Sequence, residues 1–429
     1  MNRTFVSQLA EQSGRDIAVR GWIQRFRELS RTSFIILGDC TGQVQCVAPT
    51  EALHNLHLKL DDTIEIRGRV RAEPRSRAGF EIDIDQVIPL NRSGDLLPFN
   101  SSSDISGVAQ EIVLDYRPLS LRTESVRDIF RVQASILKYF REFLDRNYFT
   151  EIITSKIVSG GTEGGTNLFA INYFDRVAYL AQSPQFYKEY GVAGLERVYE
   201  TGHVYRAEPH ATSRHLTEYY SLDLEMGFID GPEEIIQLER ELLTHIFDGI
   251  NAIHGDILTR RGLSPLPSML SVPTWEFDDC LDRLRSAFGR TDLLDDLDPQ
   301  GERELCTLAE RENGIPAVFV IGYPLESRPF YTRPRGTGGA AASFDLLFRG
   351  LEITTGGERL HVRASLERSL VGRGLAPEAF ETHLRMFDLG MPPHGGLAIG
   401  LERLTMQILG LANVREATMY PRDRNRLTP

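Results

Sequence analysis

The sequence predicts an α+β protein of two domains, a small closed β-barrel followed by a larger antiparallel sheet flanked by helices. Three observations predict it. Short strands with turn punctuation crowd residues 16–90, a polar Ser-rich stretch then interrupts the chain, and beyond it strands and helices mix without the strict alternation of βαβ units. At 429 residues and 41% hydrophobic content the chain is long for one core and comfortable for two.

The first domain is assigned to residues 1–92. DIAVRGWIQRF, TSFIILGDCTGQVQCVAP, DTIEIRGRVRAEP and GFEIDIDQVIPL alternate apolar and polar residues, with Gly42 and Gly79 at turns. So many strands in so short a span suit a closed barrel such as an OB-fold. Arg25, Arg27 and Arg31 are expected in one loop, and Arg67, Arg69, Arg71, Arg75 and Arg77 in another. Read alone, these clusters fit either a solvated surface or an RNA-binding face.

NRSGDLLPFNSSSDISG, from Asn91 to Gly107, opens a hinge assigned to residues 93–120. The second domain takes residues 121–429. It begins with an amphipathic helix whose Ile129, Phe130, Ile136, Leu137, Phe140 and Leu144 recur at helical spacing, started by Ser125 with Asp128 three residues on. EEIIQLERELLTHIFDGINAI and PEAFETHLRMFD read as further helices and AVFVIGYP as a strand.

Composition removes several classes of function. A net charge of -12 argues against a generic nucleic-acid coat, though a local basic face is compatible with it. No run of eighteen apolar residues occurs and MNRTFVSQLAEQSG lacks the apolar core of a signal peptide, so a cytoplasmic protein with no membrane association is expected. Cys40, Cys46, Cys280 and Cys306 have no metal-ligand spacing and read as buried free thiols. The only lysines are Lys59, Lys138, Lys156 and Lys188.

Three segments carry chemistry. In VYRAEPHATSRHLTEYYSLDLEM two strands, Val204 to Glu208 and Leu216 to Glu225, flank an exposed loop. Alternation places Tyr219, Ser221, Asp223 and Glu225 opposite Leu216, Leu222 and Leu224, and sets Arg206 and Glu208 on one face. Arginine for phosphate and an aromatic plane for a base suit a nucleotide; an ion-paired surface hairpin suits the same residues. In SFDLLFRGLEITTGGERLH, Asp345 and Glu352 are an odd number of residues apart, and Gly350 permits a turn or bulge that brings both carboxylates to one site for Mg²⁺. In HGGLAIGLERLTMQILGL a strand runs into a helix with Arg403 in its first turn, where the macrodipole disfavours a cation unless it has an anionic or π partner. Glu402 is the nearest such partner in sequence.

In that order the segments resemble the signature motifs of class II aminoacyl-tRNA synthetases, most closely aspartyl-tRNA synthetases of archaeal and eukaryotic type. NYFTEI resembles motif one, VYRAEPHATSRHLTEYYSLDLEM motif two, and GGLAIGLERL with ANVREATMYPRDRNRLTP motif three; TEGGT and AQSPQFYK also match. The resemblance implies an anticodon-binding OB-fold, a hinge, a class II catalytic domain, a homodimer built on motif one, and tRNA as partner. It implies that Phe34 stacks an anticodon base and Gln45 reads another, although either residue could equally fill the barrel.

Carried over to this sequence, the resemblance implies ATP as substrate and Mg²⁺ as its cation. Arg206 is implied for the α-phosphate and the substrate carboxylate, Arg214 and His215 for the outer phosphates, Glu208 for adenine, and Tyr219 with Arg403 for the adenine sandwich. Asp345, Glu352 and Thr355 are implied for the metal, and Thr355 also for L-aspartate; Glu163 and Gln185 are implied for the ammonium or backbone of L-aspartate, with Tyr331 and Asp345 nearby. Lys188 and Arg359 are implied for its β-carboxylate. Two cations facing an amide would set donors against donors, so asparagine is expected to be rejected.

The chain departs from the family at Ser155, where motif one carries proline, at Gly38 in LGDC, and in the bare RGTGGAAAS and LHVRAS stretches. The expected function is transfer of aspartate to the aspartate tRNA, with the asparagine tRNA as a possible second acceptor. Two rivals are a paralogue passing activated aspartate to ammonia or another amine, and a catalytically silent tRNA-binding protein.

Overall fold

The computed structural model describes residues 2–76, 78–161, 167–209, 212–337 and 339–429. Strands Asp16–Glu28, Thr32–Gly38, Gln43–Pro49, Phe80–Asn91 and Thr63–Ala72 close a barrel in that order. The order leaves the sequence because Gln43–Pro49 pairs parallel with Phe80–Asn91. Every second residue points inward, so Ile35, Leu37, Val44, Cys46, Ile64, Ile66 and Ile82 form the barrel core.

The arginine clusters divide between strands and turns. Arg31 and Arg75 lie in turns as expected, but Arg25 and Arg27 lie on Asp16–Glu28 and Arg67, Arg69 and Arg71 on Thr63–Ala72, because outward positions of a barrel strand accept charge as readily as loops do. Arg67 pairs with Glu65, Arg69 with Asp16, Arg71 with Asp83 and Glu81, and Arg75 with Glu73, which neutralises much of the second cluster. Arg77 lies outside the described residues. Cys40 is exposed, whereas Cys46, Cys280 and Cys306 are buried. Within residues 93–120, Gln110–Asp115 and Arg117–Ser120 are helical.

The larger unit is built on an eight-stranded sheet. Across it run Thr274–Glu276, Ala317–Ile321, Ser343–Phe348, Leu351–Glu358, His394–Gly400, Glu218–Gly227, Arg197–Tyr205 and Thr150–Glu151. The expected antiparallel pairing holds except at the two edges, where short strands reached by long connections pair parallel. Helices Glu124–Arg146 and Pro232–Arg260 bury Ile136, Phe140, Leu242 and Ile246 against Leu222, Leu224, Phe344, Leu346, Leu397 and Ile399 of the sheet. The first helix begins at Glu124, so Ser125 lies inside its first turn. PEAFETHLRMFD divides into a 3₁₀ turn, Pro377–Phe380, and a helix, Glu381–Phe387. No helix among the described residues is long and apolar enough to cross a membrane.

Candidate active site

One sheet face is greasy and covered by helices; the other is polar and open. On Glu218–Gly227 the period of two sends Leu222 and Leu224 into the core and Tyr219, Ser221, Asp223 and Glu225 to the opposite face. The hairpin strands are shorter than alternation suggests, ending at Tyr205 and restarting at Glu218. Arg206 and Glu208 therefore lie just beyond the strand, although Arg206 N still donates to Thr217 O at 2.9 Å. Gly396 stands opposite Glu225, where a Cβ would come within 2.3 Å of Glu225 Oε2. Glycine there makes room for a buried carboxylate.

A single pocket over this face is lined by Gln185, Lys188, Arg206, Glu208, Arg214, His215, Tyr219, Tyr331, Glu352, Thr355, Arg359 and Arg403. Asp345 lines an adjoining pocket that shares Arg214, His215, Glu352 and Arg403. Glu163 lies outside the described residues. Arg328 and Glu302 also line these pockets, and local sequence pattern points to neither.

One end of the pocket is a buried charge cluster. Lys188 Nζ lies 3.1 Å from Asp223 and 3.3 Å from Glu225, while Arg359 Nε donates to Glu225 Oε1 at 3.0 Å. All four side chains are nearly inaccessible, at 1%, 2%, 0% and 7% for Lys188, Asp223, Glu225 and Arg359. Burial works to raise the Glu225 carboxyl, yet Arg359 and Lys188 hold it below its ordinary value. Two cations and two carboxylates balance, so a bound anion would meet fixed positive groups already desolvated.

The other end carries the carboxylate pair. A bulge between Leu346 and Leu347 and a turn with Arg349 at φ 50 and Gly350 at φ 84 align Asp345 with Thr355 and Leu347 with Glu352. The irregularity anticipated from the odd spacing is thus present. Thr355 Oγ1 donates to Glu352 Oε1 at 3.0 Å, and Arg328 grips Asp345 with two hydrogen bonds, at 3.0 and 2.7 Å. Burial raises Asp345 above its ordinary value against the pull of Arg328. For Glu352 desolvation loses to Arg403, Thr355 and Arg328, and its carboxyl is held low. Among the described residues no three His, Cys, Asp or Glu side chains form a metal cage. Two carboxylates and a hydroxyl suit a hard ion such as Mg²⁺, completed by phosphate and water.

Arg403 does not pair with Glu402. It donates to Glu352 O at 3.1 Å and lies 3.6 Å from Glu352 Oε1, because the first helical turn aims it across the sheet. Glu402 instead accepts the Tyr220 N–H with both oxygens, at 3.1 Å each. In the loop, Arg214 bonds Glu302 at 2.6 Å, and Glu302 also accepts the Glu352 N–H at 3.0 Å. His215 Nε2 is 3.7 Å from Glu208, and the Arg206 guanidinium lies 5.8 Å from the Tyr219 ring centre.

In the barrel, Phe34 and Gln45 are half-buried on the outer face, since Ile35, Leu37, Val44 and Cys46 take the interior. They do not fill the barrel. Phe34 stands between Arg27 and Val47 on the neighbouring strands, and Gln45 donates to Glu81 at 2.8 Å.

Comparison with known proteins agrees with this geometry. Residues 109–424 match the tRNA synthetases class II (D, K and N), and residues 17–90 the OB-fold nucleic acid binding domain. The chain is 41% identical to the aspartate–tRNA(Asp/Asn) ligases of Deinococcus radiodurans and Thermus thermophilus, covering 100% of itself and 99% and 100% of theirs. It is 37% identical to the aspartate–tRNA(Asp) ligase of Thermococcus kodakarensis, with both chains fully covered. Among solved structures, asparaginyl-tRNA synthetase from Pyrococcus horikoshii with asparaginyl-adenylate superposes at TM-score 0.90 and 26% identity, covering 100% of both chains. Aspartyl-tRNA synthetase from Entamoeba histolytica gives 0.88 and 28%, covering 100% of this chain and 93% of the other.

Proposed function

Because the chain belongs to the class II tRNA synthetases (D, K and N) and activates aspartate for transfer to tRNA, we propose a division of labour within its pocket. Lys188 and Arg359 receive the β-carboxylate of L-aspartate. Gln185, with Glu163 and Tyr331, takes the ammonium. Arg206 bridges the substrate's α-carboxylate and the α-phosphate of ATP, and adenine lies between Tyr219 and Arg403 with Glu208 at its edge. The observation that carries the reading is the pair of buried cations, Lys188 and Arg359, fixed by Asp223 and Glu225 within the pocket that Arg206 and Arg403 also line.

The α-carboxylate oxygen forms a bond to the α-phosphorus while the bond to the β-phosphate bridging oxygen breaks, so pyrophosphate leaves and aspartyl-adenylate remains. No protein nucleophile or strong base is required, and catalysis is positioning with charge neutralisation. Mg²⁺, held by Asp345, Glu352 and Thr355, would neutralise phosphate charge. Arg214 exchanges Glu302 for the outer phosphates, with His215 beside it. A terminal hydroxyl of tRNA then attacks the adenylate carbonyl and AMP leaves.

The relatives at 41% identity are named for both the aspartate and asparagine tRNAs, which supports charging of both here. Phe34 and Gln45, outward on the barrel, are proposed to contact the anticodon. We assign the enzyme to the cytoplasm as a homodimer. Tyr148, Ile153 and Phe174 are 88%, 96% and 91% exposed, bare apolar side chains of the kind a second copy would cover. Sedimentation as a single chain would contradict the dimer. Charging of purified tRNA isoacceptors with labelled aspartate tests the acceptor: both aspartate and asparagine tRNAs are expected to be acylated, and acylation of neither would overturn the reading.

A further inference from the structure

Gln185 and Glu189 are one turn apart on helix Gln185–Leu195, and both are buried, at 2% and 0% exposure. Their side chains meet at 2.6 Å, Gln185 Nε2 to Glu189 Oε1. We propose that Glu189 is a positioning residue for aspartate activation, fixing the Gln185 amide so that its carbonyl oxygen faces the substrate ammonium. The inference rests on Gln185 being the ammonium ligand.

An ionised carboxylate only accepts hydrogen bonds, so the group of Gln185 that meets it must be the NH₂. Turning the amide over would set oxygen against oxygen between two buried side chains, a contact that costs more there than at a surface. The carbonyl is then left for the pocket that Gln185 lines, where it accepts no hydrogen bond from the described residues. An outward NH₂ would oppose an ammonium; an outward oxygen receives it.

Protonation of Glu189 keeps this orientation in one tautomer of a neighbouring histidine. Burial, with Glu225 nearby, pushes the Glu189 carboxyl up to about 8. Its second oxygen, Oε2, faces His383 Nε2 at 3.7 Å, and neither atom has a hydrogen bond among the described residues. Burial pushes His383 down to about 3, so the ring is neutral. Its Nδ1 contacts the Tyr190 hydroxyl at 2.9 Å, and its face stacks on Phe186 at 3.9 Å. In the tautomer that donates Nδ1–H to Tyr190, Nε2 is an acceptor facing Oε2, so a proton on Glu189 belongs on Oε2 and Oε1 stays the acceptor for Gln185.

The test is a double-mutant cycle read by aspartate-dependent ATP–pyrophosphate exchange. Gln185→Ala is expected to raise the aspartate KM, and Glu189→Met, which removes the acceptor, to raise it about tenfold with the ATP KM unchanged, because loss of one oriented hydrogen bond is of that order. In the Gln185→Ala background Glu189→Met is expected to add nothing. An unchanged KM in Glu189→Met, or an equal effect in both backgrounds, would overturn the proposal while leaving Gln185 as the ligand. An unchanged KM in Gln185→Ala would overturn the ligand assignment as well. Should Glu189→Met fold poorly, Glu189→Asp, whose carboxylate is one methylene too short, carries the same expectations.

Discussion

Arg359 donates to Glu225 at 3.0 Å beneath the pocket, and Lys188 approaches the other oxygen of the same carboxylate at 3.3 Å. One buried anion therefore sets the position of both cations assigned to the substrate side chain. Glu225→Gln keeps the shape and removes the charge, leaving Arg359 without its ionic partner. It is expected to cost about 3–5 kcal/mol of stability, as breaking buried pairs does, and to raise the aspartate KM. Urea unfolding and exchange kinetics measure the two effects; wild-type values in both would show that the carboxylate is not the anchor.

The proposed adenine sandwich makes a contrast between two conservative changes. Tyr219→Phe retains the ring and is expected to hold the ATP KM within about threefold, whereas Arg403→Lys replaces a flat guanidinium with a point charge and is expected to raise it about tenfold or more. Initial-rate exchange kinetics with varied ATP decide this. Equal behaviour of the two variants would remove the stacking role from Arg403.

Arg328 occupies both oxygens of Asp345 and stacks on Tyr323 at 3.8 Å. Arg328→Gln leaves Asp345 without its cation, so a divalent ion becomes the strongest remaining counter-charge. The variant is expected to be less stable than wild type without Mg²⁺ and to gain more in Tm when Mg²⁺ is added. A smaller Mg²⁺-dependent gain than wild type would show that Arg328 does not compete for the site.

Glu239 is fully buried in helix Pro232–Arg260, with the Thr354 side chain as its polar neighbour. Burial pushes its carboxyl from 4.5 up to about 8. Between those values the folded chain holds a proton that the unfolded chain has lost, so this residue lowers stability as pH rises from about 5 to 8, by at most about 1.4 kcal/mol per pH unit. Glu239→Gln should flatten that part of the stability profile measured by urea unfolding. An unchanged slope would mean that Glu239 is ionised in the folded protein.

These residues differ in how openly the sequence announces them. Tyr219 and Glu225 are legible from period-two alternation, and Asp345 with Glu352 from an odd spacing broken by Gly350, because strand geometry is local. Arg328 and Glu302 are not, since each reaches its partner across the fold, at Asp345 and Arg214, and no periodicity encodes such contacts. Glu402 shows the converse. It is the sequence neighbour of Arg403, yet the helical turn aims the two apart, and Glu352, fifty-one residues away, takes the arginine. In the barrel, alternation located the strands but not their charges, so arginines that are outward on strands resemble loop clusters in sequence.

Lys188 and Arg359 are proposed to make the pocket select a carboxylate side chain over its amide. Side-by-side ATP–pyrophosphate exchange with L-aspartate and L-asparagine measures it directly. The predicted result is a kcat/KM for aspartate higher by about 10⁴ or more; comparable values for the two amino acids would contradict it.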